Sequence, residues 1–154
     1  MPTPALIVRQ EGNNAQAHPF VSVYEAYKKN GPNVLGVEAL QGDDGCTGVK
    51  VNTADGYADY LFSATDIQAH HPSKRVSFCG RLGLIREKEG QIQLMYLGCG
   101  RSLKKGNFVL ESDHDVYAAI YMQHGVWYYS ATGPVRVKIG KETKELNEGY
   151  NQKL

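Results

Sequence analysis

The stretch from Arg75 to Leu97 constrains the fold most, because its apolar residues fall on alternate positions. A period of two is typical of half-buried β-strands, and a glycine-bearing turn at 88–90 makes the stretch one predicted β-hairpin. A three-residue loop with Gly90 at positive φ puts Leu84 opposite Leu94, whereas a four-residue loop would spread the apolar residues over both faces. With the three-residue loop, one face carries Val76, Phe78, Leu82, Leu84, Ile92, Leu94 and Tyr96.

The cysteines give a second expectation for this hairpin. The same register places Cys79 opposite Cys99, unless a neighbouring glycine introduces a bulge. We expect neighbouring thiols without a bridge, because a disulfide directly across two strands strains the preferred torsion. Three cysteines without CxxC spacing argue against a disulfide scaffold and against a zinc knuckle.

The remaining chain contains many short strand candidates separated by Gly-, Asn- and Asp-rich turns, about ten in all. They include residues 5–9, 18–27, 34–40, 46–51, 57–62, 116–122 and 126–131, whereas 63–74 is expected to be a loop. No stretch keeps a helical period for three turns. The sequence therefore predicts an all-β fold, an antiparallel β-sandwich built from meandering hairpins, and less readily a barrel.

The length of 154 residues suits one domain with a real core. We expect residues 1–140 to form a single β-sandwich domain. Residues 141–154 are expected to be a polar C-terminal tail, as a helical turn or as disordered chain.

Charge and hydropathy exclude several classes of partner. A formal net charge of +1 gives no bulk electrostatic reason to expect nucleic acid or an anionic membrane surface, although a local patch could hold an anionic ligand. The apolar run at 5–8 is too short for a signal peptide, and no stretch reaches the length of a membrane span. The sequence predicts a soluble chain without a targeting signal, periplasmic or extracellular if it derives from a secreted parent.

Two clusters resemble metal ligands, the pair His70–His71 near Asp66 and the triplet 113–115. Adjacent residues of a strand point to opposite faces, so neither cluster can present consecutive side chains to one ion without an irregular loop. We interpret them as solvated loop residues, with the two aspartates of the triplet as turn formers. The sequence also lacks a nucleophile elbow, a Walker loop, a Rossmann fingerprint and an HExxH motif. No metal, cofactor or catalytic residue is predicted.

Aromatic residues are concentrated in the last long hairpin. A three-residue loop at 123–125 puts Tyr121 opposite Trp127 and Ala119 opposite Tyr129, while an aliphatic set lines the other face. If the aliphatic face is core, a partly exposed aromatic strip remains that can stack on sugar rings or bury against a neighbouring domain. The strip consists of Tyr117, Tyr121, Trp127 and Tyr129. The alternative is that these aromatics pack in the second layer of a sandwich core, because large aromatics are usually mostly buried.

Three segments resemble heparinase II/III-like and oligoalginate-type polysaccharide lyases. HPFVSVYEAY resembles their strand pattern F-V-S-V-x-E-P-[HY], with Ala26 where Pro is usual. YADYLF followed by FCGRLGLIREKEG resembles a later meander of the same proteins, and LGCGRSLKKGNFVLE resembles their glycine-rich strand pair near the C-terminus. The similarity extends from Leu6 to about Ile139 and consists of strand-and-turn patterns.

The resemblance implies a non-catalytic C-terminal β domain of such a lyase. Its partners would be the catalytic domains of the parent lyase, which it supports, and an acidic polysaccharide that it contacts. In the family, catalytic His and Tyr residues lie in an α/α-toroid and a following β domain, so no catalytic residue transfers to this chain. The alternative function is a free-standing carbohydrate-binding or adhesion module that uses the aromatic strip. A small independent enzyme is the third possibility, but the sequence offers no constellation of acid, base and stabiliser.

Overall fold

A computed structural model describes residues 23, 25, 31–40, 46–67, 70–72 and 76–154. The strand candidate at 5–9 and most of the candidate at 18–27, with the motif HPFVSVYEAY, lie outside these residues. Within them the chain forms antiparallel strands and no helix. The predicted all-β antiparallel class is confirmed. No helix in the described residues is long and apolar enough to cross a membrane.

The eleven strands of the described residues follow the turn signals of the sequence. Their bounds are β1 Val34–Leu40, β2 Cys46–Thr53, β3 Tyr57–Ala64, β4 His70–Pro72, β5 Val76–Lys88, β6 Gln91–Lys105, β7 Phe108–Gln123, β8 Val126–Ala131, β9 Val135–Ile139, β10 Glu142–Leu146 and β11 Gly149–Lys153. The segment predicted as a loop at 63–74 thus contains the short strand β4.

All strands belong to one sheet that is divided into two layers by its three longest strands, β5, β6 and β7. The long layer has the order β1-β2-β3-β5-β6-β7-β8-β11. The short layer consists of β4, β9 and β10 with the adjoining ends of β5, β6 and β7. Phe62 of the long layer stacks on Phe78 of the short layer at 5.4 Å between centroids, and Trp127 lies 5.9 Å from Phe108. The two layers therefore face each other across one core.

Glycines allow the long strands to bend between the layers. A Cβ atom on Gly100 would lie 2.7 Å from Cα of Gly80 and 2.7 Å from the Cys79 carbonyl oxygen. Gly80 also has a φ of 154°, which side-chain-bearing residues rarely adopt. The register shifts at the same point. Only glycine permits so close a backbone approach, and this approach lets β5 and β6 continue from one layer into the other.

The predicted register of the β5–β6 hairpin is wrong. Leu84 pairs with Tyr96, and Leu94 pairs with Arg86. The turn has two residues, Glu89 and Gly90, with φ of 51° and 78°, so the positive φ at Gly90 is confirmed. Two positive φ angles match the twist of a two-residue hairpin turn. The register shifts between Arg86 and Glu87 next to the turn, so β6 contributes one residue more than β5 there.

The expected core face of this hairpin is also wrong for its central part. Ile85, Met95 and Leu97 are fully buried, whereas Leu82 on the opposite face is 51% exposed. Both faces carry apolar residues here, so alternation alone could not decide between them. Val76 and Phe78 are buried as expected, because the strand changes direction at Gly80.

Cys79 does not lie opposite Cys99. It pairs with Ser102, while Cys99, with a φ of 50°, lies in the irregular segment between Gly98 and Gly100. The bulge at these glycines is the exception that the sequence left open. All three cysteines are among the described residues, and they form no disulfide.

The predicted three-residue loop between β7 and β8 is wrong as well. The turn consists of His124 and Gly125, with φ of 51° and 78°. Met122 therefore pairs with Trp127, and Tyr121 pairs with Tyr128. A loop shorter by one residue moves every side chain of β8 to the other face, so the four predicted aromatic residues do not form one strip.

The expectation that residues 141–154 form a helical turn or disordered chain is wrong. The segment forms β10, which pairs with β9, and β11, which pairs with β8. Leu146 and Leu154 pack against the core, and the Leu154 N–H donates a 2.9 Å hydrogen bond to the Trp127 carbonyl oxygen. These two apolar residues give a mostly polar segment enough contact with the core to order it as strands.

Candidate functional site on the outer face

The face of the long layer that points away from the core, here called the outer face, carries an apolar region on three neighbouring strands. Leu61 of β3 pairs with Leu84 of β5. Leu94 of β6 pairs with Arg86, which is two residues along β5 from Leu84 and on the same face. Leu61 is 40% exposed, and Leu82 is more exposed still. We call Leu61, Leu82, Leu84 and Leu94 the leucine patch. An aliphatic cluster of this kind on a sheet surface is typical of a contact with another protein surface.

A shallow groove adjoins the leucine patch on β6, β7, β8 and β11. It has a volume of about 700 Å³ and is lined by Tyr96, Tyr117, Ala119, Ser130, Glu148 and Tyr150, among others. We call it the tyrosine groove. Tyr117 is 53% exposed and Tyr150 is 83% exposed. Large aromatics are usually more buried than this, so the groove presents ring faces to solvent.

Local sequence explains the shape of the groove. Tyr96, Ala119 and Ser130 form one row across three strands, and the two small residues leave a depression beside the ring. A Cβ atom on Gly98 would lie 3.0 Å from the Tyr96 ring and 3.0 Å from its hydroxyl. The absent side chain at Gly98 thus lets the Tyr96 ring lie across the sheet.

Tyr150 reaches the groove because β11 is irregular. The register shifts between Gly149 and Gln152, and Asn151 has a φ of 52°. The Asn151 N–H donates to Ser130 Oγ at 2.9 Å, and the Tyr121 hydroxyl donates to Asn151 Oδ1 at 2.5 Å. These two hydrogen bonds hold the bulge in place, so Tyr150 projects beside the groove.

The four aromatic residues predicted from sequence therefore have different surroundings. Tyr117 lines the groove, and Tyr121 lies beside it, stacked on Tyr128 at 5.9 Å and 18°. Trp127 and Tyr129 are half-buried on the core side, where Trp127 lines a separate cavity of about 260 Å³. A contact role for these four residues stays a prediction.

Sequence reasoning missed two residues of the groove. Strand alternation puts Tyr96 on the same predicted apolar face as Leu94, which gives it no separate role. Tyr150 falls in the segment expected to be a polar tail, as a helical turn or as disordered chain. A signal for Tyr96 was the neighbouring Gly98, but nothing in the sequence brings Tyr150 next to β7.

A polar cavity of about 520 Å³ lies in the bend beside the triplet 113–115. Its two arginines are paired: Arg101 Nε lies 2.8 Å from Asp115 Oδ1, and Arg136 contacts Glu111 at 3.0 Å and Glu145 at 2.5 Å. The hydrogen bonds to carboxylates raise the pKa of both arginines. Because these cations are already neutralised, the cavity offers a poor site for an anion.

The interpretation of the histidine pair and of the triplet 113–115 as loop residues is wrong, because the pair lies in β4 and the triplet lies within β7. The Ser112 hydroxyl accepts the His114 N–H at 3.2 Å and donates to the Pro134 carbonyl oxygen at 2.7 Å, which shapes the irregular segment of β7. His70 and His71 are consecutive positions of β4. Over the part of the chain that the structure describes, no three His, Cys, Asp or Glu residues are grouped to hold a metal.

Comparison with known proteins identifies the family. The family described as "Endo-acting ulvan lyase C-terminal domain" matches residues 34–122, more than half of the chain, from the start of β1 into β7. An endo-acting ulvan lyase of Formosa agariphila is 35% identical over 118 residues, which is 73% of this chain and 14% of that protein. No solved structure matches. The chain belongs to the family of C-terminal domains of endo-acting ulvan lyases, and is thus a polysaccharide lyase C-terminal domain.

Proposed function

We propose that this chain is a non-catalytic accessory domain of an ulvan-lyase-like polysaccharide lyase. It supports the catalytic part of the enzyme and contacts its acidic polysaccharide. The observation that carries the proposal is the family match over β1 to β7, the strands that build most of the outer face. A heparinase II/III-like type of the catalytic part and secretion of the parent protein belong to the same proposal.

The chemistry of lyases supports a non-catalytic role. Eliminating across a uronic acid needs a base at the C5 proton, an acid at the leaving oxygen and a group that neutralises the carboxylate. The described residues that line the tyrosine groove include no histidine, lysine or arginine. His114 lies in the polar cavity, where both arginines are held by carboxylates. Among the described lining residues, neither the tyrosine groove nor the polar cavity combines a base with an arginine or lysine that lacks a carboxylate partner.

The leucine patch supports the role of holding the catalytic part. Its aliphatic side chains provide little for a hydrophilic glycan and much for an apolar protein surface, since burial contributes about 25 cal/mol per Å². Arg86 and Asp59 form a two-pronged ion pair beside the patch, with both N–O distances 2.7 Å, and so supply a polar rim. The occupant is the catalytic part of the lyase, because the relative extends far beyond the 14% that this chain covers.

A chimera tests this role. The chain replaces the C-terminal domain of the Formosa agariphila ulvan lyase, and Leu61→Asp or Leu82→Asp is introduced into it. We expect both substitutions to lower the thermal midpoint and the ulvan turnover of the chimera, because a carboxylate would be buried at the contact. The same substitutions should change the thermal midpoint of the isolated chain little, since both leucines are substantially exposed there.

The matched control is Leu35→Asp, which changes a 70% exposed leucine of β1 outside the patch. Equal effects of the control and patch substitutions in the chimera would contradict docking through the patch. A Formosa agariphila enzyme that is as stable and active without its C-terminal domain as with it would contradict the supporting role itself.

The second candidate is a free-standing carbohydrate-binding module, and the tyrosine groove favours it. Exposed tyrosines over a floor of small residues suit a sugar ring whether or not a catalytic part is attached. The chimera distinguishes the two candidates. If the domain is an independent module, Leu82→Asp should leave the thermal midpoint and the ulvan turnover of the chimera unchanged.

A further inference from the structure

We propose that the tyrosine groove binds the pyranose rings of a polysaccharide chain by stacking them on Tyr117 and Tyr150, with Tyr96 closing one end. The accessory-domain proposal supplies the kind of polymer. The site itself follows from the exposure and placement of these three tyrosines on the outer face.

The tyrosine rings fit the chemistry of a sugar. One face of a pyranose carries C–H groups and stacks on an aromatic ring, while its rim of hydroxyls stays wet. Tyrosine matches this division with an apolar ring and a polar hydroxyl at its tip. Tyr117 and Tyr150 expose more than half of their surface, and the Tyr150 ring is carried on a bulge held by two hydrogen bonds. The rings are therefore available without rearrangement of the backbone.

The groove has the extent of a chain and not of one sugar. It crosses from β6 over β7 and β8 to β11, which is three strand spacings or about 14 Å. Tyr96 lies at the β6 end and Tyr150 at the β11 end, with Ala119 and Ser130 between them. A polymer lying across the strands would contact both ends and would rest on the small residues of the floor.

Charge indicates how the groove selects its ligand. Glu148 is the one lining residue with a formal charge among the described residues, and it is negative. An acidic polysaccharide thus gains no ion pair in this groove. Recognition rests on the ring faces, so a neutral polysaccharide should occupy the same place as ulvan, and salt should matter little.

The experiment measures the affinity of the chain for ulvan and for a neutral glucan by titration calorimetry. The variants are Tyr117→Ala, Tyr150→Ala and their combination, each checked by its thermal midpoint. We expect the combination to lose at least about tenfold in affinity for both polymers. Tyr117→Phe and Tyr150→Phe should retain binding, because they keep the rings. Tyr57→Ala, which removes a tyrosine near Arg86 and Lys88 outside the groove, should also retain it.

Raising the salt concentration until the Debye length falls from about 10 Å to about 3 Å should change the affinity little. The proposal that the tyrosine groove binds polysaccharide would be overturned by equal affinities of the wild type and the double alanine variant. It would also be overturned if the wild type bound ulvan alone and high salt abolished that binding. The third contradicting result is that the wild type binds neither polymer. None of these results decides whether the domain supports the catalytic part, which the chimera tests separately.

Discussion

Met122 pairs with Trp127 across the β7–β8 hairpin, and this one pairing decides which aromatic side chains face solvent. Trp127 is directed to the core side, where it contacts Phe108. Tyr121 and Tyr128 consequently lie on the outer face beside the tyrosine groove. The turn that fixes the pairing has two residues, and both have positive φ.

The turn should therefore respond to substitution in opposite directions. His124→Asn should stabilise the protein by about 0.5 kcal/mol, because Asn tolerates positive φ better, and Gly125→Ala should destabilise it by about 1 kcal/mol. Denaturant unfolding measures both changes. His114→Asn is the control, since His114 has no positive φ, and an unchanged stability of Gly125→Ala would argue against the two-residue turn.

The bend between the layers should be far more sensitive. Gly100→Ala places a Cβ atom 2.7 Å from Gly80 Cα, and we expect a loss of about 2–3 kcal/mol in the free energy of unfolding. In Gly36→Ala the added Cβ would meet nothing within 4 Å, so the same measurement should change little. Similar stabilities of the two variants would refute the close approach of β5 and β6.

The strands and turns could be predicted where the strand period and the turn residues agree. The register could not be predicted, because a difference of one residue in loop length changes it. Alternation predicted both long hairpins, and Gly90 was correctly given a positive φ. The predicted loop lengths are wrong because the same sequence is compatible with a three-residue loop and with a two-residue turn, with or without a register shift beside it. The core face of β5 and β6 was undetermined because Leu82 and Leu94 are as apolar as Ile85 and Met95.

The candidate site was predictable to a smaller extent. Tyr117 could be selected because strand alternation opposes it to an aliphatic face. Tyr150 could not, because its place depends on β11 pairing with β8 more than 15 residues away along the chain. Long-range pairing of a polar terminal segment leaves no local periodic signal.

Glu111 provides a pH-dependent contribution to stability. Its pKa is lowered, mainly because Lys104 Nζ, 2.8 Å away, donates to the carboxylate, and Arg136 adds to the effect. The contribution is full above the ordinary carboxyl pKa of about 4.3 and is lost as the pH falls through the lowered value. Glu111→Gln should cost up to about 1 kcal/mol at neutral pH and little in strong acid.

Denaturant unfolding at a series of pH values checks this expectation. Glu142→Gln, an exposed position of β10, is the control. A cost of Glu111→Gln that is constant down to strong acid would mean that packing, and not charge, is responsible.

The thiols should differ in reactivity. Burial raises the pKa of Cys79, whose Sγ donates to the Ile67 carbonyl oxygen at 3.7 Å, and Cys46 is also buried. Cys99 is partly exposed. Thiol titration of the native protein should therefore modify Cys99 first, and the denatured, non-reduced protein should return three thiols. Early modification of Cys79, or fewer than three thiols, would contradict the structure.

The central claim is that this domain serves a polysaccharide lyase without performing its chemistry. The most direct measurement is the absorbance of the unsaturated uronate product when the isolated chain is incubated with ulvan, heparin, chondroitin or alginate. We predict no product above the uncatalysed background, because enzymes of this kind owe accelerations of about a millionfold or more to groups that the described residues do not assemble. Turnover of any of these polymers that is abolished by Tyr117→Ala or His114→Ala would contradict the claim and would make the chain an enzyme in its own right.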